Sequence, residues 1–416
     1  KKRNSLEMVG GRAYIASLSS MTPTTSNAME YGRIVAEKAS VRRLIETADD
    51  IVTKGYDGTM DANQMLDYAE SGIFEISQAR QKGQYSHIRD VLVENLAIID
   101  RAEQMDGGLT GITTGFSKLD EMTSGMQKSD LIILAARPAM GKTAFALSLA
   151  RNAAVKGKAS VMIFSLEMAK EQLTQRLLSM ESKVDLQTLK TGRLERRDWD
   201  DLNVALDILS NSNIHIDDTA GISIMEMKSK CRRLKAEAGL DLVIIDYLQL
   251  MNASGMRFGS RQEEVSKISQ SLKGLAKELD IPILALSQLN RTVENREGLD
   301  GKRPQLSDLR ESGAIEQDAD MVLFVHRPEY YHILEDDKGN DLRGMAQIII
   351  AKHRKGATGD VLLKFRGEFT RFQDPEKTYN KSDTPPLDAE IIGSRVNGGI
   401  DPMASLPSDD LDVVPF

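Results

Sequence analysis

The segment Ala136 to Thr143, ARPAMGKT, constrains the fold of this chain more than any other part of the sequence. It directly follows the apolar run LIILAA and opens a predicted helix over 144–155. It matches the phosphate-binding loop, with Ala136 where that pattern has its first glycine. In such a loop successive backbone N–H groups converge on phosphate oxygens at a helix N-terminus. The residues predicted to form this cradle are Ala136, Arg137, Pro138, Ala139, Met140 and Gly141. A strand, a loop and a helix in this order predict an α/β nucleotide-binding domain.

Lys142 and Thr143 close this loop and carry its charge chemistry. Lys142 is expected to reach the β- and γ-phosphates, and the Thr143 hydroxyl to bind Mg²⁺. A carboxylate at the same sheet edge is the usual second requirement, and Asp246 ends the apolar run LVIID. Alone, an Asp at a strand end indicates little, but together with the loop it predicts a nucleoside triphosphate and Mg²⁺ site.

Two further polar residues end predicted strands. Glu167, in IFSLEM, could orient and deprotonate an attacking water, or it could be a helix N-cap charge. Gln288, in the run IPILALSQ, is a neutral side chain suited to sensing a γ-phosphate by a hydrogen bond.

Two other stretches carry candidate function. Strand alternation places Lys352 and Arg354 on one face of IIIAKHRKG, where a pair of cations could stabilise a transferring phosphoryl group of a neighbouring subunit. A solvated strand end is the alternative. Residues 306–318 form a polar segment in which Arg310 could hold single-strand phosphates, or the segment could simply cap a helix.

Hydrophobic patterning divides the chain into four parts. Residues 1–80 are predicted to be a helical domain with a hairpin turning at 55–58, and residues 81–108 a linker whose helix carries an apolar stripe. That helix could be a domain edge or could dock on an adjacent subunit. Residues 109–374 are rich in short β-branched runs, typical of a mainly parallel sheet with helices. The predicted strands are LIILAA, SVMIFS, IHID, LVIID, IPILALS, MVLFVHR, AQIIIAK and DVLLKF.

The ends of the chain have a different character. Residues 375–416 hold six of the eleven prolines among acidic and small residues, which predicts a disordered tail; its last residues could bind a partner or simply be solvated. The chain begins with Lys1 in what looks like the middle of a helical domain, so we expect further sequence upstream.

Composition limits the classes of function. A single cysteine and five histidines at no metal-ligand spacing indicate a reducing, cytoplasmic protein without zinc. No apolar run approaches the roughly 20 residues that span a bilayer, so no membrane partner is expected. The formal charge of -8 weighs mildly against general nucleic-acid binding and restricts any DNA contact to a local basic patch.

The motifs, taken in order, resemble those of bacterial replicative helicases of the DnaB family. They are ARPAMGKT, FSLEM, LVIIDYLQLM, ALSQLNR, DLRESGAIEQDAD and IIIAKHRKGATG. The resemblance implies a RecA-like motor domain with an N-terminal helical collar, assembled as a homohexameric ring around single-stranded DNA at a replication fork. It also implies a primase and a helicase loader as partners, and a nucleoid-associated cytoplasmic location.

The same resemblance implies roles for individual residues. Lys142 and Thr143 would bind nucleotide and metal, Glu167 would be the catalytic acid/base, Asp246 the magnesium acid and Gln288 the γ-phosphate sensor. Lys352 and Arg354 would act in trans, and the channel would be lined by Arg310, Glu311 and Gly313. Without the resemblance, the residues leave two other classes of function open: a RecA-like recombinase or ring regulator, and a binding platform whose ATP site controls assembly.

Overall fold

The structure, a computed structural model, describes residues 28–62, 87–104, 108–251, 259–290, 300–335 and 339–375, with single positions within 11–17 and 65–76 and Arg296. The predicted tail beyond residue 375 lies outside the described residues. Within the described ranges, no helix has the length and apolar character needed to cross a membrane.

A sheet of nine strands forms the centre of the domain. Its order is β3-β2-β4-β5-β1-β6-β7-β8-β9, and the first six of these strands are parallel. The strands are β1 (Leu131–Ala136), β2 (Val161–Ser165), β3 (Ile214–Asp217), β4 (Leu242–Asp246), β5 (Ile283–Gln288), β6 (Met321–His326), β7 (Met345–His353), β8 (Gly359–Arg366) and β9 (Arg371–Gln373). All eight predicted strands are therefore present, and β9 was missed.

Helices cover both faces of the sheet. The described helices are α1 (Ala28–Asp57), α2 (Ile88–Gln104), α3 (Ser117–Thr123), α4 (Lys142–Arg151), α5 (Lys170–Ser182), α6 (Leu186–Thr191), α7 (Arg196–Ser210), α8 (Ile224–Glu237), α9 (Arg261–Leu279) and α10 (Gly313–Asp318). Short 3-10 segments span Leu248–Leu250, Asp300–Lys302, Leu306–Ser312 and Pro328–Tyr331. This is the α/β architecture with a mainly parallel sheet that the sequence predicted.

The two faces of β1 pack into different cores, as strand alternation requires. Ile132 and Leu134 join one buried cluster with residues of α3, α4 and α5, whereas Leu131 and Ile133 join another with residues of α8 and α9. A strand buried on both faces reads as a continuous apolar run, which is why LIILAA was recognisable in the sequence.

The N-terminal helices differ in detail from the prediction. Helix α1 passes through Gly55 and ends at Asp57, so the predicted turn at 55–58 begins only at Gly58, where φ is 62°. The described positions of the predicted second helix are helical from 62 to 76, and the remainder lie outside the described residues. Tyr68 donates a hydrogen bond to Asp50 and lies beneath Lys54, so these two segments are in contact.

Helix α4 also departs from the prediction. It begins at Lys142 instead of Ala144, and after Arg151 it continues as one π-helical turn, Asn152–Lys156. The π turn brings the Asn152 amide to the carbonyl of Thr114, with a distance of 3.0 Å between the two atoms. Residues before β1 are thereby anchored to the helix that carries the phosphate loop.

Candidate nucleotide site

The phosphate loop lies between β1 and α4, at the carboxyl edge of the parallel strands. Gly141 has φ of 91°, and a Cβ placed on it would lie 3.2 Å from the Phe372 ring. Ala139 also has positive φ, at 66°. Two left-handed residues in one short loop turn successive backbone amides toward the same side, which is the geometry that binds an anion. The backbone conformation therefore favours glycine at 141, and the Phe372 ring leaves little room for a side chain there.

Phe145 connects this loop to the rest of the domain. Its ring stacks on Phe116 at 5.5 Å between centroids and meets Phe372 edge to face at 5.2 Å. All three rings are fully or almost fully buried. Burying one such side chain contributes about 1.5–3 kcal/mol, so the start of α4 is held firmly against β9.

Asp246 and Thr143, the two predicted metal ligands, lie in contact with each other. The Thr143 hydroxyl donates to Asp246 Oδ2 at 2.6 Å, and Lys142 Nζ lies 3.8 Å from Asp246 Oδ1. Oδ1 is buried and has no hydrogen-bond donor among the described residues. A buried carboxylate oxygen without a donor, next to a hydroxyl, is a donor set suited to a hard divalent cation. These residues therefore fit Mg²⁺.

The surroundings of Lys142 have opposing effects on its pKa. Burial lowers the pKa of Lys142, while the nearby carboxylates of Asp246 and Glu167 raise it. Its Nζ also lies 4.6 Å from the centre of the Tyr247 ring. The ammonium is therefore oriented before any phosphate binds.

Glu167 and Gln288 line the same cleft, which has a volume of about 530 Å³. Gln288 is the last residue of β5, and Glu167 lies two residues beyond β2. The N-cap of α5 is Ala169, so the alternative that Glu167 caps that helix is wrong. Parallel strands end at one edge, and that is why side chains from distant parts of the sequence meet here.

Six residues that line the cleft were missed by the sequence analysis: Ala144, Met168, Arg176, Tyr247, Phe365 and Thr370. Burial lowers the pKa of Arg176, and the charges of Asp246 and Glu167 raise it, so this guanidinium lies close enough to the two carboxylates to interact with them electrostatically. Phe365 offers an aromatic face, and the Arg327 guanidinium lies 4.3 Å from the centre of its ring. Ala144, Met168 and Tyr247 had a sequence signal, since each directly follows a predicted residue.

The predicted loop residues are not equivalent. Ala136, Pro138 and Ala139 line the cleft, as does part of Arg137. The Arg137 guanidinium, however, is buried and donates to the Leu289 carbonyl at 2.9 Å. Met140 is likewise buried. For Arg137 the backbone is the part available to a phosphate, whereas Met140 does not line the cleft and its N–H donates to the Arg137 carbonyl at 3.4 Å.

Lys352 and Arg354 are not brought to this cleft. Lys352 pairs with Val322, near the start of β6, and β6 runs parallel to β1. The cations therefore lie at the amino edge of the parallel strands, opposite the phosphate loop. Arg310 and Glu311 fall in the 3-10 turn Leu306–Ser312, and Gly313 begins α10, so this segment leads into the amino end of β6.

Comparison with known families identifies the family to which this chain belongs. The family described as "DnaB-like helicase C terminal domain" matches residues 111–374, which contain the whole sheet and cleft. The chain belongs to the DnaB helicase family. It is a replicative DNA helicase, an ATP-dependent enzyme, as the motifs had indicated, and this excludes the recombinase and platform alternatives.

Relatives and solved structures agree with this membership. The chain is 47% identical over 381 residues to "Replicative DNA helicase DnaB" of Geobacillus stearothermophilus, covering 92% of this chain and 82% of that one. The same figures hold for "Replicative DNA helicase DnaC" of Bacillus subtilis (strain 168). A structure titled "The Structure Of A DnaB-Like Replicative Helicase And Its Interactions With Primase" superposes with a TM-score of 0.72 at 37% identity, over 90% of this chain and 85% of that one. The RecA-like DnaB fold of the motor domain is thus confirmed.

Proposed function

We propose that this helicase works as a homohexameric ring that moves 5′–3′ on single-stranded DNA, and that adjacent subunits share each nucleotide site. The observation that carries the proposal is the separation of the two halves of the catalytic chemistry. Lys142 lies at one edge of the sheet, and Lys352 with Arg354 lies at the other. The two halves therefore do not meet within a single chain.

The length of β6 makes this separation too large to bridge. Five residue steps separate Met321 from His326, which corresponds to about 17 Å along the strand. That distance exceeds the reach of a lysine or arginine side chain. The two cations therefore cannot serve the cleft of their own subunit, whereas a head-to-tail ring presents them to the cleft of the next. Repeating this heterologous contact with closure gives a ring.

Within one cleft, the roles follow from position. Lys142 and the loop 136–143 bind the phosphates, and Thr143 and Asp246 hold Mg²⁺, which when bound neutralises charge on the phosphate oxygens. Glu167 orients and deprotonates the attacking water, and Gln288 senses the γ-phosphate. Arg176 supplies a further cation from the same subunit.

On the DNA side, Arg310, Glu311 and Gly313 line the ring channel and contact the DNA backbone. Contacts to phosphates carry no sequence information, which suits a motor that passes any sequence. Arg310 supplies one cation from each subunit, which is the local positive charge that DNA contact needs in a chain with a net charge of -8.

The N-terminal segments serve assembly and partners. Ile88, Leu92, Leu96 and Ile99 are exposed on α2, and we propose that this stripe docks on the adjacent subunit. Residues 1–80 form the collar, 81–108 the linker, 109–374 the motor and 375–416 the tail. A DnaB-like neighbour interacts with primase, and we propose the same partner here, with a helicase loader, in the cytoplasm at the nucleoid.

The test is unwinding of a forked duplex with a free 5′ tail by the wild-type chain, Lys142→Ala and Arg354→Ala, with ring formation measured at the same concentration. We expect both variants to form intact rings and both to fail to unwind the fork. Mixing the two variants before ring assembly should restore ATP hydrolysis, because some sites then combine an intact cleft with intact cations. Rings that hydrolyse ATP normally with Arg354→Ala would refute shared sites.

A further inference from the structure

Lys352 and Arg354 are anchored within their own subunit, and the anchoring is more extensive than a solvated strand end requires. Lys352 Nζ donates to the Glu316 carbonyl at 2.5 Å, and Arg354 Nη2 donates to the Gln317 carbonyl. These carbonyls belong to the last turn of α10, where a helix has no internal donors for them. The two cations therefore complete the end of this helix.

Arg354 has two further contacts, both to Asp320. Its backbone N–H donates to the Asp320 carbonyl at 2.9 Å, and its Nη1 lies 3.5 Å from Asp320 Oδ1. About half of the Arg354 side chain is exposed, whereas only 8% of the Asp320 side chain is. A buried carboxylate thus contacts one terminal nitrogen of the guanidinium, while about half of the Arg354 side chain remains exposed.

Asp320 is itself fixed to the central strand. Its Oδ2 accepts from the Leu131 N–H at 2.8 Å and from Lys273, whose Nζ also donates to the Ser129 carbonyl at 2.7 Å. The two carboxylate oxygens are therefore divided: Oδ2 takes both donors from the interior, and Oδ1 faces Arg354. This division links the guanidinium to the start of β1.

We infer that Asp320 is a positioning residue for Arg354, orienting the guanidinium for the cleft of the adjacent subunit. The inference rests on the proposed function, in which Arg354 acts in trans. Arginine has many rotamers, and fixing them in advance reduces the entropy lost when the side chain enters the neighbouring site. Since α10 directly follows Arg310 and Glu311, the anchor also lies next to the segment proposed to contact DNA.

Because the two carboxylate oxygens of Asp320 have different partners, Asp320→Asn can change the contact with Arg354 and keep the others. The side-chain oxygen of asparagine can keep both interior hydrogen bonds, which places the NH₂ group toward Arg354 and replaces attraction with repulsion. We expect the kcat of DNA-stimulated ATP hydrolysis by intact rings to fall about tenfold with little change in KM, because the variant's own cleft is unaltered.

Asp280→Asn is the matched control. Asp280 lies at the same edge, accepts from the Ser129 hydroxyl at 2.8 Å and pairs with Lys128 at 3.6 Å, and these contacts do not involve Arg354. Its left-handed backbone, with φ of 49°, suits asparagine as well as aspartate. This variant should hydrolyse ATP like the wild type.

Subunit mixing separates positioning from simple structural damage. Asp320→Asn mixed with Lys142→Ala before ring assembly should recover activity, as Arg354→Ala should in the same assay. A wild-type kcat for Asp320→Asn, or a loss that mixing does not rescue while Arg354→Ala is rescued, would overturn the inference and leave shared sites intact. Failure of Arg354→Ala itself to be rescued would overturn the proposed function and this inference with it.

Discussion

Gly141→Ala tests whether the phosphate loop needs glycine for its conformation, its space or both. At φ of 91° an L-residue is strained by about 1–2 kcal/mol. The added methyl group would also lie 3.2 Å from Phe372 and 3.6 Å from Phe365, and crowding a packed core costs about 1–3 kcal/mol. The expected loss in free energy of unfolding is therefore about 2–5 kcal/mol.

Gly192→Ala isolates the cost of the backbone strain. Gly192 follows α6 with φ of 68°, and nothing lies within 4 Å of a Cβ built there. Both substitutions reduce the entropy of the unfolded chain equally, so that contribution cancels between them. Gly192→Ala should cost only the backbone strain, and the excess for Gly141→Ala measures the contact with the two rings.

Two assays decide the outcome: urea unfolding of each variant followed by circular dichroism, and nucleotide binding by the intact rings. Gly141→Ala should also weaken nucleotide affinity, since a shifted loop no longer converges its amides on phosphate, whereas Gly192→Ala should not. Equal losses of stability would refute the ring-contact argument. An unchanged nucleotide affinity in Gly141→Ala would refute the assignment of this loop as the phosphate cradle.

Three more expectations concern the cleft and its surroundings. Asp246→Asn should lower kcat about hundredfold and weaken the Mg²⁺ dependence of ATP hydrolysis, because one metal-binding oxygen is replaced by an amide. Arg176→Ala should raise the KM for ATP about tenfold, measured with ring formation unchanged; an unaltered KM would remove Arg176 from the site. Burial lowers the pKa of His326 from 6.5 to about 4. As the pH falls, the unfolded chain therefore binds a proton at this residue before the folded chain does. The stability that is present above pH 6.5 is consequently lost as the pH falls toward 4. We expect about 2 kcal/mol less stability in urea unfolding at pH 5 than at pH 7, and no such His326-dependent loss in His326→Phe, which keeps the stacking on Tyr331.

Much of the fold was accessible from the sequence because the central strands are buried on both faces. Runs such as LIILAA and LVIID have no polar interruption, and each is a strand at the predicted place. Strand β9 was missed because three residues, Arg371–Gln373, carry too little pattern to distinguish a strand from a loop. The π turn after Arg151 also leaves no periodic signal, since it replaces one helical spacing with another for a single turn.

The sequence by itself determined the chemistry of the phosphate loop, since Gly141, Lys142 and Thr143 act through local backbone geometry that eight consecutive residues specify. Only the tertiary structure decided which distant groups join them. Arg176 looks like any charged residue of a surface helix until α5 packs beside α4, and it then lies within electrostatic range of Asp246 and Glu167. Only the strand order placed Lys352 and Arg354 at the opposite edge from the cleft, because the direction of β7 follows from its antiparallel pairing with β6. Local motifs are encoded by neighbours in the chain, whereas the edge of a sheet at which a side chain emerges is a property of how the whole sheet is assembled.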